Sequence, residues 1–140
     1  MKTVRTFLAV NLELETIKKI GELQRSLIRR TVGSGAVIKW VPPGNMHLTL
    51  RFLGDITEPM IEAIRDRLAG VIRPLAPVSI EAKGLGFFPP EGEPAIIWAG
   101  VEPSPELQAM YDLLCDTLTG IGFIAPERPF ASHVTLGRIK

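Results

Sequence analysis

The sequence predicts a single domain of mixed α and β structure in which one order of elements, strand, helix and strand, occurs twice. Three observations carry this. Apolar residues alternate at the start of the chain, and they recur at helical spacing in three later stretches. Both copies of the unit close on a strand that carries one of the chain's two histidines. The 140 residues suit one domain with a real core. With 46% apolar and 22% charged residues the balance is globular, which excludes a disordered chain.

Val4, Thr6, Leu8, Val10 and Leu12 alternate along residues 3–12 and predict a strand. Ile17, Ile20, Leu23, Leu27 and Ile28 follow at helical spacing, with Lys18, Lys19, Glu22, Arg25 and Arg29 on the wet side. Gly33-Ser34-Gly35 ends that helix. Residues 37–41 form a short strand stopped by Pro42-Pro43-Gly44, and a further strand covers 46–54. Pro59 sits in the first turn of a helix over 59–72, striped by Ile61, Ile64, Leu68, Val71 and Ile72. Residues 78–88 read as a strand in which Gly84 and Gly86 mark bends or bulges, and Pro89-Pro90-Glu91-Gly92 is a turn. Another strand covers 95–101. Ser104 caps the third helix, Pro105 takes its first position, and Leu107, Met110, Tyr111, Leu114, Leu118 and Ile121 form its stripe. The last strand is 132–140.

A net charge of +1 argues against a protein that coats long nucleic acid, which needs many Lys/Arg–phosphate contacts. It leaves room for a pocket that grips one or two phosphates. The single cysteine, Cys115, excludes an intramolecular disulfide and points to a reducing compartment. No apolar run approaches the ~18 residues of a membrane helix. Residues 7–10 are too short for a signal-peptide core. A soluble, cytoplasmic protein is expected.

The two histidines stand in His47-Leu48-Thr49-Leu50 and His133-Val134-Thr135-Leu136. At average usage a histidine acquires this Thr and Leu roughly once in a few hundred cases, which weighs against the bland reading of two β-branched strand segments that each carry a buried histidine. Strand alternation puts His47, Thr49 and Arg51 on one side and Leu48, Leu50 and Phe52 on the other, as core. His133 and Thr135 match them in the second copy. Two facing imidazoles suit a reaction that removes a proton at one end and supplies one at the other, since His titrates near ~6.5. Opening a phosphodiester ring is such a reaction. Hydroxyls and arginines would bind the non-bridging oxygens. Two histidines without a Cys or carboxylate at ligand spacing fall short of a zinc set, so neither metal nor cofactor is expected. A Gly-x-Ser-x-Gly elbow and a Walker loop are both lacking.

The chain resembles the two-histidine phosphoesterase superfamily, and within it the RNA 2′,3′-cyclic phosphodiesterases, also labelled 2′-5′ RNA ligases (LigT-like). The likeness rests on Arg5-Thr6-Phe7-Leu8-Ala9-Val10, Lys39-Trp40-Val41, Met46 to Gly54, Gly84-Leu85-Gly86-Phe87-Phe88-Pro89, Ile97-Trp98-Ala99-Gly100-Val101 and His133-Val134-Thr135-Leu136-Gly137-Arg138. It implies an α+β fold of two pseudo-symmetric lobes, with antiparallel sheets lining a central cleft and helices outside. His47 would be the proton donor, His133 the proton acceptor, and Thr49 and Thr135 phosphate ligands. The implied reaction is metal-independent hydrolysis of RNA 2′,3′-cyclic phosphate ends, or of small cyclic nucleotides, to the 2′-phosphate. RNA 2′-5′ ligation and a non-catalytic module for RNA ends are the alternatives. Ser132 stands where the family has proline, which is expected to loosen the entry to the last strand.

For Arg51, phosphate contact and a solvated charge are equal readings. Arg138 falls on the wrong face by strict alternation, and a bulge at Gly137 would return it. Trp40, Phe87, Phe88 and Trp98 suit either a nucleobase or the core, with the core the commoner fate. Arg25, Arg29 and Arg30 read as a solvated helix end, and Cys115 as buried filler. Residues 1–140 are expected to form one phosphoesterase domain that is short at its C-terminus. A missing strand would leave an unpaired sheet edge open to self-association and a softer wall behind His133.

Overall fold

The computed structural model describes residues 2–89 and 91–140. Its elements are β1 (Thr3–Asn11), α1 (Leu14–Thr31), β2 (Ile38–Trp40), a 3-10 turn at Pro43–Asn45, β3 (His47–Thr57), α2 (Glu58–Ile72), β4 (Ala82–Phe88), β5 (Ile96–Val101), α3 (Pro105–Ile121) and β6 (His133–Ile139). The expected α+β class holds, with three helices and six antiparallel strands among the described residues. The Ser104 hydroxyl accepts from the Leu107 N–H at 3.1 Å, as its position before Pro105 implied. Thr57 caps α2 in the same way, accepting from Met60. Gly122, at φ 114°, ends α3 in the left-handed conformation that favours glycine.

One strand is shorter than its apolar run. Residues 78–81 stay outside β4. Pro90 of the expected 89–92 turn lies outside the described residues. Gly84, at φ 80°, carries the bend the sequence suggested, and the β4–β5 register shifts between Ala82 and Leu85.

The chain divides into two compact units. The first comprises Met1–Leu8, Leu50–Ser79 and Pro103–Ala131. Its core is Leu50 with Ile64 and Leu68 of α2 and Leu107, Tyr111, Leu114 and Leu118 of α3. Tyr111 stacks on Phe130 at 4.2 Å, and burial, with Cys115 as a hydrogen-bonding neighbour, pushes its hydroxyl up to about 12. Phe52 departs from the expected core: it is 63% exposed and packs instead against Phe7, 5.9 Å away at the unit's surface.

The second unit comprises Ala9–Thr49, Ile80–Glu102 and Ser132–Lys140. Here β4 pairs with β5 and β5 with β6. With β5 occupying one side of β6, β2 and the start of β3 share the other. The last strand is therefore flanked on both sides, and the strand order β1-β3-β6-β5-β4 ends at β1 and β4. The softness expected behind His133 finds no counterpart in this pairing. Nor is the entry to β6 loose, because the Ser132 hydroxyl donates to the Val101 carbonyl at 3.0 Å. Leu48, Ala99, Val134 and Leu136 are buried on the face toward α1, where Ile20 and Leu23 line a cavity of ≈ 230 Å³ together with Ala99.

Candidate active site

The opposite face of the second unit's sheet carries both histidines. Leu48 and Val134 are antiparallel partners, so His47 comes beside Thr135 and Thr49 beside His133. Directly opposed residues stand about 5 Å apart at Cβ, and diagonal ones about 7–8 Å. The two His-Thr pairs thus form a small quadrilateral with the imidazoles on one diagonal. All four residues are half-buried, whereas Leu48 and Val134 between them are fully covered.

Different means orient the two rings. His47 follows the 3-10 turn, in which Asn45 N–H bonds to Pro42 O and Met46 N–H to Pro43 O. That turn presents the Asn45 carbonyl to His47 Nδ1 at 2.8 Å. A carbonyl only accepts, so Nδ1 carries the proton that this bond needs. His133 lies in an aromatic corner: the Phe88 ring meets it edge-on at 5.2 Å and Trp98 at 6.1 Å. The Trp98 indole lies over Gly86, where any Cβ would collide with it. Of the four aromatic candidates, Phe88 and Trp98 reach the histidine face. Trp40 pairs with Gly137 on the other face, and Phe87 is half exposed there.

The bulge expected at Gly137 is present. Ile97 opposes Gly137 while Trp98 opposes Thr135, which leaves Leu136 as the extra residue. Leu136 and Gly137 are both buried, and Arg138 emerges exposed opposite Ile96, on the face of His133 and Thr135. Close packing, not a left-handed φ, favours the glycine. A Cβ at 137 would stand 3.0 Å from Ile38 Cγ2 and 3.1 Å from Trp40 Cε3. Arg51 belongs to the first unit, where its Nη2 donates to the Ile124 carbonyl and its Nη1 is buried without a partner among the described residues.

Sequence reading missed Gln24. It is 3% exposed, and its amide donates to Val41 O at 2.7 Å and to Leu136 O at 3.0 Å, tying α1 to the bulge. The signal was a polar residue four positions after Ile20, inside an otherwise apolar stripe. Among the described residues no three His, Cys, Asp or Glu side chains group as metal ligands. No helix there is long and apolar enough to cross a membrane.

Comparison with known proteins bears on this arrangement. A family model, LigT like Phosphoesterase, matches residues 15–98. The RNA 2′,3′-cyclic phosphodiesterase of Thermotoga maritima is 37% identical over 137 residues, which is 98% of this chain and 71% of that relative. TT0787 of Thermus thermophilus has a similar structure, with a TM-score of 0.82 and 30% identity over 96% of this chain and 74% of that one. Escherichia coli LigT complexed with 3′-AMP follows at a TM-score of 0.74 and 26% identity, over 96% of this chain and 72% of its own. A family model over more than half of the sequence, with a relative of this identity along nearly all of it, shows that the chain belongs to the LigT-like phosphoesterases.

Proposed function

We propose that the chain hydrolyses RNA 2′,3′-cyclic phosphate ends to 2′-phosphates by metal-independent acid–base catalysis. The observation that carries this reading is the register of β3 on β6, which sets two His-Thr pairs on one face of one sheet. His133 takes a proton from water, whose oxygen attacks phosphorus. The bond from phosphorus to the 3′ oxygen breaks, and His47 Nε2 gives that oxygen its proton. The ring opens to a 2′-phosphate and a free 3′-hydroxyl. Thr49 and Thr135 donate to the non-bridging oxygens, and Arg138 holds charge at the end of the same face. The name of the Thermotoga maritima relative and the 3′-AMP bound by Escherichia coli LigT support the substrate class.

The test is phosphorus NMR on adenosine 2′,3′-cyclic phosphate and on a short RNA with a cyclic phosphate end. The 2′-phosphate should form at an undiminished rate in EDTA, with a bell-shaped dependence on pH. Formation of the 3′-phosphate, or loss of the rate in EDTA, would overturn the proposed mechanism.

A further inference from the structure

Beyond Arg138 the histidine face carries a second cation with no assigned task. Lys39 of β2 is the antiparallel partner of Arg138, and both are exposed. Like charges directly opposed on a sheet repel. The strands around them supply no carboxylate: β2, β4, β5, β6 and residues 47–49 contain no Asp or Glu. Neither cation makes an ion pair among the described residues, where the salt bridges are Lys18–Glu15, Arg65–Glu62 and Lys83–Glu102. The repulsion is built into the β2–β6 register, and the bulge at Leu136 puts the pair on the face of the histidines. An anion between them would relieve it.

The position of the pair says which anion. β2 and the start of β3 lie end to end along the same side of β6, with Lys39 opposite Arg138 and His47 beside Thr135. Counting the bulge as one step, the two rungs are two residues apart, or ~6.6 Å along the strand. That is about one nucleotide step of an extended chain. The aromatic corner of Phe88 and Trp98 lies around His133, on the β5 side of the histidines.

We infer that Lys39, with Arg138, forms a second phosphate subsite that takes the phosphodiester one nucleotide upstream of the reacting end, so that the enzyme favours oligonucleotide ends over cyclic mononucleotides. This rests on the proposed hydrolysis for its substrate, whereas the subsite itself depends only on the charge register. Lys39 is a specificity residue that makes no contact with the reacting atoms.

The experiment compares Lys39→Gln and Lys39→Arg with the wild type on two substrates, adenosine 2′,3′-cyclic phosphate and a five-nucleotide RNA ending in a cyclic phosphate. Lys39→Gln should reduce kcat/KM for the RNA about tenfold through KM and narrow its advantage over the mononucleotide, while Lys39→Arg restores most of it. The slope of log(kcat/KM) against log[salt] for the RNA should become shallower by about 0.7, one single-strand phosphate contact. Equal effects on both substrates, or none on either, would overturn the inference. Fluorescence anisotropy with a labelled five-nucleotide RNA ending in a 2′-phosphate gives a readout independent of turnover. Weaker binding by Lys39→Gln with the shallower slope supports the subsite even in a protein that hydrolyses nothing, and unchanged binding refutes it.

Discussion

β3 and β6 carry the same His-x-Thr-Leu pattern in very different settings. The start of β3 has one registered partner pair with β6, and its histidine is held from behind by the backbone of a 3-10 turn. β6 is flanked on both sides, is bulged after its threonine, and has its histidine against two aromatic rings. A repeated motif need not make a symmetric site. The turn leaves His47 with a defined proton on Nδ1, and two aromatic rings pack beside His133. That asymmetry suits a donor and an acceptor that act at opposite ends of one displacement.

Removing either imidazole is the most severe way to probe the pair. His47→Ala and His133→Ala should each lower hydrolysis of a 2′,3′-cyclic nucleotide by at least ~10²-fold. The double variant should be little worse than the poorer single one, as for residues that act as a unit. Retained activity in both single variants would remove the histidines from the chemistry.

The aromatic support belongs to β6 alone and is probed from a distance by Gly86→Val. A side chain there must displace the Trp98 indole, which should cost up to about 3 kcal/mol in urea unfolding. The His133 ring resonances should shift in NMR while those of His47 stay in place. Equal movement of both would mean that the rings are supported in common.

Gln24→Leu is milder and addresses the bulge. It deprives Val41 O of its side-chain donor and Leu136 O of one of two, since the Val41 N–H still reaches Leu136 O at 2.8 Å. A stability loss of about 1–2 kcal/mol is expected. KM should rise through a less fixed Arg138 while kcat changes little. A fall in kcat with KM unchanged would show that Gln24 does not act through the bulge.

Tyr111 supplies the smallest effect and a control in the other unit. Its hydroxyl is raised from the ordinary 10 to about 12, chiefly by burial, so the fold favours the neutral phenol. That contribution is complete below pH 10 and is lost as pH rises through about 12. The chain has one tyrosine, so absorbance at alkaline pH reports it alone. Its midpoint should lie near 12 and be unmoved by Gly86→Val or Gln24→Leu, whereas Tyr111→Phe should flatten the alkaline loss of stability.

Much of this arrangement is local and could be read from the sequence. Ser104-Pro105 sets a helix start, and Gly84 a bend. Alternation in two short segments puts each histidine on the face of its threonine, because side-chain direction in a strand has a period of two residues. The apolar stripe also exposes Gln24 as an oddity, although its partners are 17 and 112 residues away and nothing local names them. Phe52 misled for the same reason, since alternation says which side a residue takes and not whether anything covers that side.

What the sequence determined by itself was which residue types share a face within each strand, and hence the chemistry of two imidazoles with two hydroxyls. Only the tertiary structure decided which faces meet. Pairing Leu48 with Val134 rather than with a neighbour one residue along joins the two histidine faces, and a slip of one residue would separate them. The extra residue at Leu136 reverses the alternation expected for Arg138 and puts it, with Lys39 opposite, on the histidine face. Register and bulge follow from hydrogen bonds and packing between segments far apart in the chain, such as the crowding of Gly137 by Ile38 and Trp40. Those forces act across strands, so no single stretch of sequence records them.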